Sequence, residues 1–135
     1  MDSVRCYGRN EGFILRNTLF DGPNGDLWRA TQATADGDKR HIDFLQFNNG
    51  ASNALGTCNF LIENNAFYGS FGYHQSIFMF NEKCRENGGN IDDNGHQNGI
   101  IRGNYIESRH QHAITLSGHK NVLIEGNLIR TAGEP

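Results

Sequence analysis

Proline is almost missing from this 135-residue chain, with two residues, and tryptophan occurs once. Corners are therefore left to glycine, present 17 times, and to abundant asparagine, the residues that accept left-handed backbone angles. No apolar run is long enough to span a bilayer, and Met1 opens no signal-peptide pattern, so neither a membrane helix nor a leader is expected. There is no surplus of positive charge. A net charge of −3 and a pI near 6.0 exclude an electrostatically driven nucleic-acid binder. The three cysteines, Cys6, Cys58 and Cys84, are odd in number and lack metal-ligand spacing. A Cys58–Cys84 bridge is left open, while Cys6 reads as a small core residue. No helical periodicity is sustained. The hydrophobic fraction of 36% is low for a broad core and suits one drawn out into a thin column.

What the chain does contain is repetition. Phe60-Leu61-Ile62-Glu63-Asn64-Asn65-Ala66-Phe67 recurs as Ile100-Ile101-Arg102-Gly103-Asn104-Tyr105-Ile106 and as Leu123-Ile124-Glu125-Gly126-Asn127-Leu128-Ile129. An earlier copy, Phe13 to Phe20, puts Thr18 where the others have Asn65, Asn104 and Asn127. Between these copies lies a second phrase with period-two alternation, the mark of a strand with one buried face. Its interior columns are Val4, Leu45, Ile77, Ile114 and Cys6, Phe47, Met79, Leu116. Self-similarity of this kind marks a repeat architecture. The shortest complete period is 23 residues, enough for three short strands and three corners.

In chain order, two insertions break the period, at 21–40 and 81–98. The first is Gly- and Asp-rich and carries Trp28; the second is charged and mixed in sign. A third short strand is expected in the aromatic-glycine corner between Tyr68 and His74. Neither end offers a cap, so the expectation is a fragment of a longer solenoid, or a homo-oligomer that covers the ends.

The stretches 121–129, Asp43-Phe44-Leu45-Gln46-Phe47 and Gln75-Ser76-Ile77-Phe78-Met79 resemble the repeats of right-handed parallel β-helices. Such repeats occur in polysaccharide lyases, uronan epimerases, pectinases and phage tailspikes. The resemblance implies an all-β, right-handed parallel β-helix (β-solenoid) of about four coils over 1–135, as one domain or segment. It implies a polysaccharide partner and an extracellular or cell-surface location. Matching positions build the coil, so they speak for fold more than activity. The Asp-Pro-His-Glu signature associated with the epimerases is absent.

For chemistry, the stacked Asn65, Asn104 and Asn127 read as an internal amide ladder. The outward column Arg5, Gln46, Phe78 and Thr115 reads as the floor of a groove walled by the insertions. Asp2, Asp43, Gln75 and His112 stack at the entry to the same strand, either tucked inward or turned out. Paired-acid hydrolysis would need a second carboxylate beside Asp43. A lyase needs a base beside the uronate carboxylate and a cation to neutralise it, which Asp43, Arg109 and His112 would supply as catalytic residues. Gln46, Gln75, Phe78, Lys83, Arg85 and His110 would bind substrate. Lyase chemistry is thus preferred to hydrolysis, with a non-catalytic glycan-binding or structural module (a tailspike or adhesin type) as the alternative. No cofactor is expected. Calcium is the weak exception: Asn90 to Gly95 mimics the start of a calcium loop, but its twelfth position is Ile101.

Overall fold

The computed structural model describes residues 4–21, 42–49, 55–69, 74–86, 88–108 and 112–131. Among them, twelve strands follow one another with almost no helix. In order they are β1 (Val4–Tyr7), β2 (Ile14–Arg16), β3 (Leu19–Asp21), β4 (Ile42–Asn49), β5 (Leu61–Glu63) and β6 (Ala66–Tyr68). Then come β7 (His74–Asn81), α1 (Glu82–Glu86), α2 (Ile91–Asn94), β8 (His96–Arg102), β9 (Tyr105–Ser108), β10 (Ile114–Ser117), β11 (His119–Glu125) and β12 (Leu128–Thr131). Every third strand joins the same parallel sheet: β1-β4-β7-β10, β2-β5-β8-β11 and β3-β6-β9-β12. This is a parallel β-solenoid.

The expected columns are present in register. Val4 pairs with Leu45, Leu45 with Ile77, and Ile77 with Ile114, while Cys6, Phe47, Met79 and Leu116 follow the same order. Leu45, Phe47, Ile77 and Met79 are wholly buried, facing Ile62 and Ile101 from the second sheet and Phe67 and Ile106 from the third. The column Phe13, Phe60, Gly99 and Val122 mixes sizes within one layer. A Cβ on Gly99 would lie 1.9 Å from the Phe60 ring, so the glycine makes the space that this buried ring occupies.

The recurring phrase divides into two strands around a corner. Arg16, Glu63, Arg102 and Glu125 close the second-sheet strands, and Asn17, Asn64, Gly103 and Gly126 follow with φ of 53°, 53°, 61° and 59°. Only asparagine and glycine enter that region cheaply, which explains their alternation at this place. The third strand of each repeat is thus 66–68 and its equivalents, earlier than the corner between Tyr68 and His74 where it was expected. The reason is the left-handed corner residue, which splits an apolar run that reads as continuous.

The amide ladder is continuous. Asn104 Oδ1 accepts from Asn65 N and Nδ2, both at 3.0 Å, and Asn127 Oδ1 accepts from Asn104 N at 3.0 Å and Nδ2 at 2.9 Å. At the lower end Asn65 Oδ1 accepts from Thr18 N at 3.0 Å, so threonine can begin the ladder without carrying an amide.

Two expectations are revised. The 81–98 insertion holds two short helices where sequence periodicity indicates none. Each is a single turn closed by local contacts: Asn81 Oδ1 accepts from Cys84 N, and Asn90 Oδ1 accepts from Asp92 N at the start of α2. The calcium-like loop is therefore a capped helical turn, and its Asp92 pairs with Lys120. All three cysteines are free, so the Cys58–Cys84 bridge is not formed. Residues 22–41, most of the first insertion, lie outside the described residues.

Candidate functional site

Period-two alternation gives the first sheet an outer face of two columns. Arg5, Gln46, Phe78 and Thr115 form one, in register, and Tyr7, Asn48, Phe80 and Ser117 form the other. The first column was expected. The second was overlooked, although it is signalled by continuing the same alternation two residues further.

Composition of this face changes with height. At the bottom the Arg5 guanidinium lies 5.0 Å from the centroid of the Tyr7 ring, a cation–π contact. In the middle are the amides of Gln46 and Asn48. Above them Phe78 and Phe80 stack with centroids 5.6 Å apart and planes 9° from parallel, both half-buried. The hydroxyls of Thr115 and Ser117 complete the face, with Thr115 Oγ1 donating to Gln75 Oε1.

Not every expected ligand-facing group reaches the surface. Gln46 is buried at 6% exposure although its register is outward, and its Oε1, like Asn48 Oδ1, is covered with no hydrogen-bond partner among the described residues. Asp43 and Gln75 pair in register and are buried at 1% and 4% exposure, with the Gln75 amide reached by the Thr115 hydroxyl of the outer column. His112 is exposed just before β10, and Ala113 beside it accepts from Ser76 N and Ile77 N. Lys83 is half-buried on α1, its stem lying over Gly89. Arg85 belongs to α1, its side chain outside the described set, and Arg109 and His110 lie outside the described residues altogether. Of the expected catalytic trio, Asp43 is buried and His112 is exposed, and Arg109 is the one outside the described residues. Among the described residues no group of three or more His, Cys, Asp or Glu is arranged to hold a metal.

A second polar place lies on the corner of the other two sheets. A shallow, open depression of about 380 Å³ is lined by Glu63, Asn64, Arg102, Gly103, Glu125 and Gly126. Arg102 Nε and Nη2 both donate to Glu63 Oε2, at 3.0 and 2.9 Å. The pair is partly solvated, so its stabilisation is under about 1 kcal/mol.

A strongly perturbed titratable group is His96, fully buried at the start of β8. Its Nδ1 accepts from Thr57 N at 3.1 Å, so the neutral ring carries its proton on Nε2. Burial pulls its pKa down to about 4; the nearby Phe80 carbonyl pulls the other way, and His119, its register partner, adds to the lowering. No local signal marks His96 as interior; only the register reveals it.

No family model, curated protein or solved structure matches the chain.

Proposed function

We propose that this chain is a glycan-binding module built on a right-handed parallel β-helix of about four coils, with the outer face of the first sheet as its binding surface. Parallel crossover connections are nearly always right-handed, which supports the hand. The observation that carries the binding reading is the stacked, half-buried Phe78–Phe80 pair, with the half-buried Asn48 below and the hydroxyls of Thr115 and Ser117 above. Aromatic faces pack against the apolar faces of sugar rings, while amides and hydroxyls exchange hydrogen bonds with ring substituents. The strands supply these groups at a constant rise of about 4.7–4.9 Å, a linear array suited to a linear polymer. An extracellular or cell-surface setting goes with a polysaccharide partner. Among the described residues no helix is long and apolar enough to cross a membrane.

A lyase on an acidic polysaccharide is the second reading, favoured by the exposure of His112 at the edge of this same face. His112 would be the base and Arg109 the neutralising cation, with Lys83, Arg85 and His110 binding substrate and Asp43 acting from beneath rather than on the sugar. A panel of alginate, pectate and glycosaminoglycan chains separates the two. Binding by calorimetry that falls on the order of tenfold in Phe78→Ala, with no unsaturated product in the ultraviolet, supports the module. Product formation abolished by His112→Ala supports the lyase. No binding and no product from any member removes both.

A further inference from the structure

The strands of the first and last repeats are terminal in every sheet: β1 and β10, β2 and β11, β3 and β12. Among the described residues each therefore has one edge with no strand beside it in its sheet, a template for another chain. The two end surfaces are not alike. Following each charged column from bottom to top reverses its sign. Arg16 begins a column that passes Glu63 and Arg102 and ends at Glu125. Asp21 begins one that passes Tyr68 and Glu107 and ends at Arg130. Glu11 begins one that passes Cys58 and Gln97 and ends at Lys120. All six terminal residues are exposed.

We propose that copies of this chain stack head to tail, the β10-β11-β12 end of one on the β1-β2-β3 end of the next, as a linear polar assembly. At the strand spacing of about 4.7–4.9 Å each of the three columns then continues with an opposite charge: Arg16 over Glu125, Asp21 over Arg130 and Glu11 over Lys120, the last two residues already sharing their charge with Arg9 and Asp92. The Glu63–Arg102 ion pair inside one copy shows the same contact already made between neighbouring strands, at 2.9 Å. The apolar columns continue likewise. Ile124 and Ile129 belong to interior columns whose middle members are wholly buried, yet they are 47% and 52% exposed. On the facing end Ile14 and Leu19 are 61% and 64% exposed, in the columns of Leu123 and Leu128. Phe20 of the next copy, which would lie over Ile129, is already buried, so that pair brings new apolar surface from one side only. The amide ladder also has a matching joint: among the described residues the N–H of Asn127 has no further Oδ1 above it, and Thr18 of the next copy would present a hydroxyl that can accept. A heterologous contact of this kind does not close on itself and grows along one axis.

Sedimentation across protein concentration tests this. In low salt, near 0.01 M, where screening reaches about 30 Å, the wild-type mass should rise well above 15.1 kDa, and in about 1 M salt it should fall back. A top-reversed variant (Lys120→Glu, Glu125→Lys, Arg130→Glu) and a bottom-reversed variant (Glu11→Lys, Arg16→Glu, Asp21→Arg) should each lose association by on the order of tenfold or more. An equimolar mixture of the two should regain it, because reversed top meets reversed bottom. Should either triple variant fail to fold by circular dichroism, Arg130→Glu and Asp21→Arg carry the same crossed design. A wild type that stays monomeric at every concentration overturns the proposal. So does a top-reversed variant that associates alone, the mark of a two-fold dimer through like ends, or a mixture that shows no rescue.

Discussion

The amide ladder and the outer face of the first sheet are both read upward through the same four repeats, and they behave oppositely. Along the ladder the residue type hardly changes: Thr18, Asn65, Asn104, Asn127. Along the face nothing repeats: Arg5, Gln46, Phe78, Thr115. The ladder is uniform because each amide must satisfy the one below and a strand carbonyl at once, a demand the geometry makes identically at every level. The face has no such demand. Its variation is room for a binding surface, and the uniformity of the ladder is the signature of scaffold.

The largest way to break this contrast is at Asn104. Asn104 Oδ1 accepts from both Asn65 nitrogens, while Nδ2 donates to Ile62 O and Asn127 Oδ1. Asn104→Ala leaves the buried Asn65 N–H and an Asn65 Nδ2 hydrogen without their acceptor, and should cost about 3–5 kcal/mol in urea unfolding. A loss below about 1 kcal/mol would show the ladder to be incidental.

His96 sharpens the comparison, since His119 stands in register with it yet is exposed. The folded pKa of about 4 lies below the ordinary 6.5, so the unfolded chain takes up a proton first as pH falls. Stability is therefore fully present above pH about 6.5, declines toward pH about 4 by about 3 kcal/mol, and levels below that. Chemical unfolding measured between pH 4 and 7 should show this slope in the wild type. His96→Gln should flatten it, and His119→Gln should leave most of it.

The smallest expected effect belongs to the Glu63–Arg102 pair on the corner. Arg102→Met should change stability by less than about 1 kcal/mol, because the guanidinium side is nearly half exposed. A double-mutant cycle with Glu63→Gln measures the coupling, and a value above about 2 kcal/mol would mean that the corner is more than a solvated rim.

The interior columns of the first sheet were legible because a strand repeats every two residues and a solenoid repeats every turn, so Val4, Leu45, Ile77 and Ile114 announce their register twice. The third strand was misplaced because Asn64 and Gly103 look like ordinary polar interruptions until their positive φ is known. The short helices were missed since a single turn stabilised by Asn81 and Asn90 capping has no periodicity to read. Of the expected site, the register of Gln46 and Phe78 was legible, while the burial of Gln46 was not: alternation says which way a residue points, not what covers it.

By itself, then, the amino-acid order determined the parallel stacking, the greasy interior and the amide ladder, because each follows from the spacing of like residues along one chain. Tertiary structure alone decided that Asp43 and Gln75 are buried, that His96 is sealed in, and that opposite charges end each of three columns. Those depend on residues brought together from different turns, and nothing in local spacing carries that information.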